Sequence, residues 1–192
     1  MPAILITAIF FWGWDIWFTQ NSIWSFNKNY TLEFDIFGMP IEEWLFFIII
    51  PYCCIFIYEV IKHYLKGLKY NRQGIYLSIL LAFILLIISI LSIKLRYTFL
   101  TFVFSAIYLL LTIAKSQFRK HMVYFYTTYL VSLLPFMVVN GILTSLPVVS
   151  YNPEHILNLR VMNIPVEDFS YLFLLLLMSI SIYEYLKERK FY

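Results

Sequence analysis

The chain has 192 residues, 62% of them hydrophobic and 13% charged, with a formal net charge of +3. A soluble domain carries about 25% charged residues, so the composition excludes one and reads as an integral membrane protein. The two cysteines, adjacent at Cys53 and Cys54 in an apolar run, exclude a disulfide framework and a cysteine-spaced zinc site.

A membrane span needs about 20 mostly apolar residues. The first predicted helix covers residues 3–19, with no Lys or Arg before it and therefore without the basic front of a cleavable signal. Residues 20–39 read as a polar loop carrying Asn21, Asn27, Lys28, Asn29, Glu33 and Asp35. A second helix runs from Pro40 to about His63, and Lys66, Lys69 and Arg72 follow it. The third helix covers 75–93 and is the most lipid-like. A short turn, Lys94-Leu95-Arg96, leads to the fourth at 97–114. Lys115, Arg119, Lys120 and His121 separate it from the fifth at 122–140. A second long loop spans 141–164, the sixth helix covers 165–186, and Lys187, Arg189 and Lys190 come last. The expected fold class is all-α, a polytopic membrane bundle of six transmembrane helices.

Counting Lys62 in the last turn of the second helix, ten of the fourteen Lys and Arg residues fall at the ends of or after the second, fourth and sixth helices. Because basic residues collect on the cytoplasmic side, both termini are expected there and both long loops outside. One register shift of 125 positions aligns Pro40-Ile41-Glu42-Glu43 with Pro165-Val166-Glu167-Asp168. The same shift aligns Tyr58-Glu59 with Tyr183-Glu184, Thr19 with Thr144 and Asp15 with Asn140. The chain therefore reads as a parallel internal repeat, residues 1–70 being the first copy and 71–192 the second. The fourth helix precedes the fifth, but no helix precedes the first in the same way. A missing N-terminal helix in the first copy is the expectation.

Pro-x-Glu-Glu makes a good helix start in any protein, with proline at the first position and acids facing the positive end of the helix dipole. Its occurrence in both copies, and the cost of charge in a membrane segment, point to function. Side by side, the second and sixth helices would bring Glu42, Glu43, Glu167 and Asp168 to one depth. Like charges so close cannot all ionise, so some keep their protons and the set supplies both an acid and a base. Those four are the expected catalytic residues. The five tryptophans, Trp12, Trp14, Trp17, Trp24 and Trp44, lie at the outer end of the first two helices. They suit an interfacial aromatic belt or a cage whose ring faces stabilise a carbocation by roughly 0.5–2 kcal/mol per contact. Asp15 and Asn140, about one turn below the surface, either reach for water or orient a carboxyl. Arg160 is placed to neutralise Glu167 or Asp168. Together with Trp17, Trp24, Trp44, Phe47, Phe169 and Tyr171 these three are the expected substrate-binding residues. Glu59 and Glu184, roughly 24 Å further along their helices, belong to the opposite surface. No dinucleotide, P-loop, His-Glu-x-x-His or Gly-x-Ser-x-Gly motif is present, and His63, His121 and His155 are scattered. No metal and no cofactor are expected.

Pro40-Ile41-Glu42-Glu43-Trp44-Leu45-Phe46-Phe47, with Asn158-Leu159-Arg160 and Ile164-Pro165-Val166-Glu167-Asp168, resembles the membrane-integral carotenoid cyclases, lycopene beta-cyclases of two homologous domains. Trp14-Asp15-Ile16-Trp17-Phe18-Thr19 and Trp24-Ser25-Phe26-Asn27 are similar to that family's first domain. Pro135 to Thr144 and Pro153-Glu154-His155 are similar to its second. The resemblance implies non-redox cyclisation of the ends of lycopene to beta-ionone rings, giving beta-carotene, with the family's acidic residues at Glu42, Glu43, Glu167 and Asp168. It also implies seven helices in the fused form. The implied partners are lycopene and the lipid bilayer, with other carotenoid-pathway enzymes as further candidates and no nucleic acid. The implied location is a bacterial inner membrane. A cyclase of other carotenoids, a proton-coupled carrier and a pigment-binding subunit are the rival readings.

Overall fold

The computed structural model describes residues 1–67 and 72–189. Lys69, Lys190 and the expected boundary between the two copies lie outside the described residues. Six long helices are present: α1 (Pro2–Gln20), α2 (Ile41–Tyr64), α3 (Arg72–Leu91), α4 (Arg96–Ala114), α6 (Met122–Ser145) and α7 (Val166–Glu188), with a one-turn α5 (Ser116–Arg119). All six long helices are long and apolar enough to cross a membrane. The fold is an all-α polytopic membrane bundle.

Local chemistry sets the ends of these helices. Pro40 and Pro165, both with extended backbone, stand immediately before α2 and α7, and each helix has two acids in its first turn and a lysine in its last. The fifth expected helix stops at Asn140, whereas α6 continues to Ser145. Gly141 sits inside it, Thr144 Oγ1 donates to the Asn140 carbonyl at 2.8 Å, and Pro147 comes only after the last turn. Pro51 and Pro135 sit inside α2 and α6, each removing one backbone donor at membrane depth.

Helix α7 is the hub, packed against α1, α2, α4 and α6. Small polar residues allow close approach to α4: Ser170 Oγ donates to Ser105 Oγ at 3.0 Å, and Tyr108 and Ser181 hydroxyls pair at 2.7 Å. Helix α3 packs on α4, where Ser89 Oγ donates to the Phe99 carbonyl at 2.9 Å, pairs Ser78 with the Tyr126 hydroxyl of α6 at 2.6 Å, and otherwise presents mostly apolar side chains outward, as lipid contact requires.

The two long loops are more ordered than their polar composition suggests. Each holds a short strand (β1 Trp24–Phe26; β4 Val149–Tyr151), a 3₁₀ turn, and a two-strand hairpin (β2 Asp35–Ile36 with β3 Met39–Pro40; β5 Arg160–Val161 with β6 Ile164–Pro165). The elements β4, β5, β6 and α7 start 125 positions after β1, β2, β3 and α2. The hairpin turns Phe37-Gly38 and Met162-Asn163 have positive φ at both residues, the primed-turn geometry that fits strand twist and favours Gly or Asn. Strands β1 and β4 pair antiparallel with Ser25 opposite Ser150, two residues related by the same shift. The register is symmetric under that shift, with Trp24 opposite Tyr151 and Phe26 opposite Val149.

Candidate active site

A cavity of about 60 Å³ lies beneath the β1–β4 pair, walled by α1, α2, α4, α6 and α7. Its lining consists largely of residues matched by the repeat: Asp15 with Asn140, Glu43 with Asp168, Trp24 with Val149, Phe26 with Tyr151, and Phe46 with Tyr171. Residues from both ends of the 125-position shift therefore line one cavity.

Its polar groups are divided unequally. Tyr97 donates to Asp168 Oδ1 at 2.6 Å, while Tyr151 and Asn140 donate to Oδ2 at 2.6 and 2.8 Å. Three donors on two oxygens form a set that suits an acceptor-only carboxylate. Burial and the adjacent Asp168 hold the Tyr151 phenol well above the ordinary tyrosine range, so it stays a donor. On the other side Tyr171 donates to Asp15 Oδ1 at 2.5 Å, and Glu43 of α2 also lines the cavity. Asp15 and Asp168 are buried; Glu43 is partly exposed. Aromatic rings close the walls, with Trp24 5.3 Å from Tyr97 and 6.0 Å from Tyr171 between centroids, and Tyr97 stacked on Tyr151 at 6.0 Å.

The expected four-carboxylate cluster is thus replaced by a different trio. Glu42 Oε1 accepts from the Leu32 N–H at 2.7 Å. Its counterpart Glu167 Oε1 accepts from the Leu157 N–H at 2.7 Å and from Thr98 Oγ1 at 2.6 Å. Neighbouring helix residues project about 100° apart, so in each pair one acid turns to the loop and the other to the cavity. Glu42 and Glu167 fasten the loops to the helix starts, and Asp15 joins Glu43 and Asp168 instead.

Among the expected substrate-binding residues, Asp15, Trp24, Asn140 and Tyr171 line the cavity. Phe47 is buried one layer away, stacked on Phe11. Phe169 packs edge-on against the lining residue Phe136. Trp44 pairs with Trp12, and Trp17 is 44% exposed, so both stand outside. Arg160 forms no ion pair with Glu167 or Asp168 among the described residues; its guanidinium donates to the Asn163 carbonyl at 2.8 Å and lies over the Tyr151 ring. The sequence reading missed Tyr97, Tyr151, Phe26, Phe46 and Phe136. Only Tyr97, a polar residue at the outer start of an apolar helix, offered a signal.

A larger apolar groove, about 250 Å³, lies at the opposite end between α4, α5 and α7. Its carboxylates are engaged elsewhere: Glu184 accepts from Tyr58 and Lys62, and Glu188 pairs with Lys120. Glu59 likewise pairs with Lys187 at that end. Among the described residues no group of His, Cys, Asp and Glu is arranged to hold a metal ion.

The sequence model of one protein family, described as lycopene cyclase, matches residues 1–61 and 93–186. The chain belongs to the lycopene cyclase family. Every residue lining the carboxyl cavity falls within the matched segments, and α3 lies between them. Membership of the lycopene cyclase family makes this an integral membrane enzyme that cyclises carotenoids. No curated protein and no solved structure shows a significant match.

Proposed function

We propose that the protein is a lycopene beta-cyclase, an isomerase that closes the ends of lycopene into beta-ionone rings to give beta-carotene. One observation carries this reading: three carboxyl groups from α1, α2 and α7 converge in a single aromatic-walled cavity. The reaction needs a proton added to one carbon and another removed, with no net redox change. A carboxylic acid protonates a terminal double bond, and its O–H pair remains on the carboxylate. The resulting tertiary cation is attacked by a neighbouring alkene, forming the ring C–C bond. A second carboxylate then removes a ring proton, whose C–H electrons become the new double bond. Each proton step by a placed carboxyl contributes roughly 10²–10⁴-fold. The ring faces of Trp24, Tyr97, Tyr151 and Tyr171 stabilise the cation by roughly 0.5–2 kcal/mol per contact.

The cavity has room for a few water molecules, so admitting a polyene end requires lining side chains such as Phe46 and Phe136 to move. Residues 1–70 and 71–192 act as the two cyclase repeats, with both termini cytoplasmic in a bacterial inner membrane. Expression in a lycopene-accumulating bacterial host tests the assignment. Beta-carotene in the extract supports it. Unchanged lycopene with the protein present in the membrane contradicts it, and a different ring isomer would move the assignment to a sister cyclase.

A further inference from the structure

We propose that Tyr97, Tyr151 and Asn140 are positioning residues that fix Asp168 as the base of the cavity, and that they thereby decide which ring isomer is made. The proposal rests on the cyclase reading above and deepens it from turnover to regiochemistry. Asp168 is held from three separate elements. Tyr97, in the first turn of α4, donates to Oδ1 at 2.6 Å. Tyr151 on β4 and Asn140 on α6 donate to Oδ2 at 2.6 and 2.8 Å. With both oxygens tethered, the carboxylate cannot rotate or shift without breaking a hydrogen bond. The phenols are themselves braced. Their rings stack 8° from parallel, the Arg160 guanidinium lies over the Tyr151 ring, and the strand pairing sets Tyr151 opposite Trp24.

The matching positions around Glu43, the counterpart of Asp168, differ. Phe26 stands where Tyr151 does, Asp15 stands where Asn140 does, and α4 has no counterpart at all. The Glu43 side chain is also one methylene longer. Fixed placement matters most for removing the second proton. The first proton goes where it leaves a tertiary cation, which the alkene itself dictates. After ring closure the cationic carbon is bonded to a methyl, a ring CH2 and the ring CH that carries the polyene. Any of the three can lose a proton to the Asp168 carboxylate, its C–H pair becoming the double bond to the cationic carbon. Loss from the CH gives the conjugated beta-ionone ring, loss from the CH2 an isolated ring double bond, and loss from the methyl an exocyclic one. A misplacement of about 1 Å can cost a reaction about 100-fold. Because these three carbons share one neighbour, so small a movement of the base redistributes the proton loss among them.

Tyr97→Phe and Tyr151→Phe each remove one hydroxyl and keep the ring. Each is expressed in lycopene-accumulating cells, and the ring isomers in the extracted pigment are separated by chromatography. The ratio of the main isomer to the others is expected to fall about tenfold or more for each lost bond to the charged group. Tyr108→Phe removes the hydroxyl paired with Ser181, about three turns further along α4, and should keep the wild-type ratio. A wild-type ratio from Tyr97→Phe or Tyr151→Phe, whatever the turnover, overturns the proposal, and so does an equal shift from Tyr108→Phe. Should the phenol variants fail to accumulate, Asp168→Glu moves the carboxylate by one methylene and must change the ratio; an unchanged ratio overturns the proposal. The infrared difference between wild type and Asp168→Asn, taken in lipid vesicles at neutral pH, reads the base without turnover. It should contain a carboxylate band, and a protonated-carboxyl band in its place overturns the proposal. A carboxylate band from a wild type that leaves lycopene unchanged refutes the cyclase reading and leaves the Asp168 clamp standing.

Discussion

Replacing Glu167 separates holding the loop from doing chemistry. The side chain is fully buried, and one oxygen accepts both the Leu157 N–H at 2.7 Å and Thr98 Oγ1 at 2.6 Å. Glutamine keeps a carbonyl oxygen for both donors but puts an N–H donor where Oε2 has no partner, so Glu167→Gln should cost about 1–3 kcal/mol. Alanine strands both donors at about 1–3 kcal/mol each, which makes Glu167→Ala roughly 2–6 kcal/mol less stable. The partly exposed Glu42 accepts one bond, so Glu42→Ala should cost about 1 kcal/mol. Thermal unfolding in detergent micelles, run beside lycopene conversion in vesicles, measures both quantities. Glu167→Gln is expected to stay folded and active. A Glu167→Gln protein that unfolds like wild type but loses about 100-fold or more of turnover would refute the loop-fastening role and return Glu167 to the chemistry.

Other substitutions probe the rest of the bundle. Asn140→Asp replaces the amide that donates to Asp168 with a second carboxyl, and turnover in vesicles should fall by about tenfold or more as the two acids compete for one proton. Glu184→Gln weakens the Tyr58 and Lys62 contacts at the far end. It should lower stability by about 1–3 kcal/mol while leaving turnover at the wild-type level, because the cavity is at the other end of α7. Burial holds His121 below the usual histidine range. On acidification the unfolded chain therefore takes up a proton more readily than the folded one. Stability should decline as pH falls below about 6.5, and His121→Gln should flatten that part of an unfolding-midpoint against pH curve.

Much of this was legible in the sequence because charge is scarce in an apolar chain. Pro40 and Pro165 with their acids marked two helix starts, and a single 125-residue register tied them together. The same register aligned Asp15 with Asn140, the pair on which the asymmetry of the cavity turns. What stayed hidden was rotational and long-range. Which of Glu42 and Glu43 faces inward depends on how α2 is turned about its axis, and that is fixed by packing on α1, α6 and α7. The β1–β4 pair joins residues more than a hundred positions apart through three-residue strands too short for a pattern. Tyr97 reaches Asp168 from α4, a helix with no counterpart in the alignment of the copies, so the repeat could not point to it. The tryptophans read as a belt or a cage because they cluster in sequence, but helical rotation sends Trp12, Trp44 and Trp17 away from the cavity, while Trp24, on strand β1, stands in its wall.

The most direct measurement is pigment extraction from lycopene-accumulating cells expressing wild type, Glu43→Gln and Asp168→Asn at matched membrane levels. Beta-carotene from the wild type, and lycopene left unchanged by both variants, is the predicted result. Beta-carotene from either variant at the wild-type level would contradict the assignment of the chemistry to this cavity.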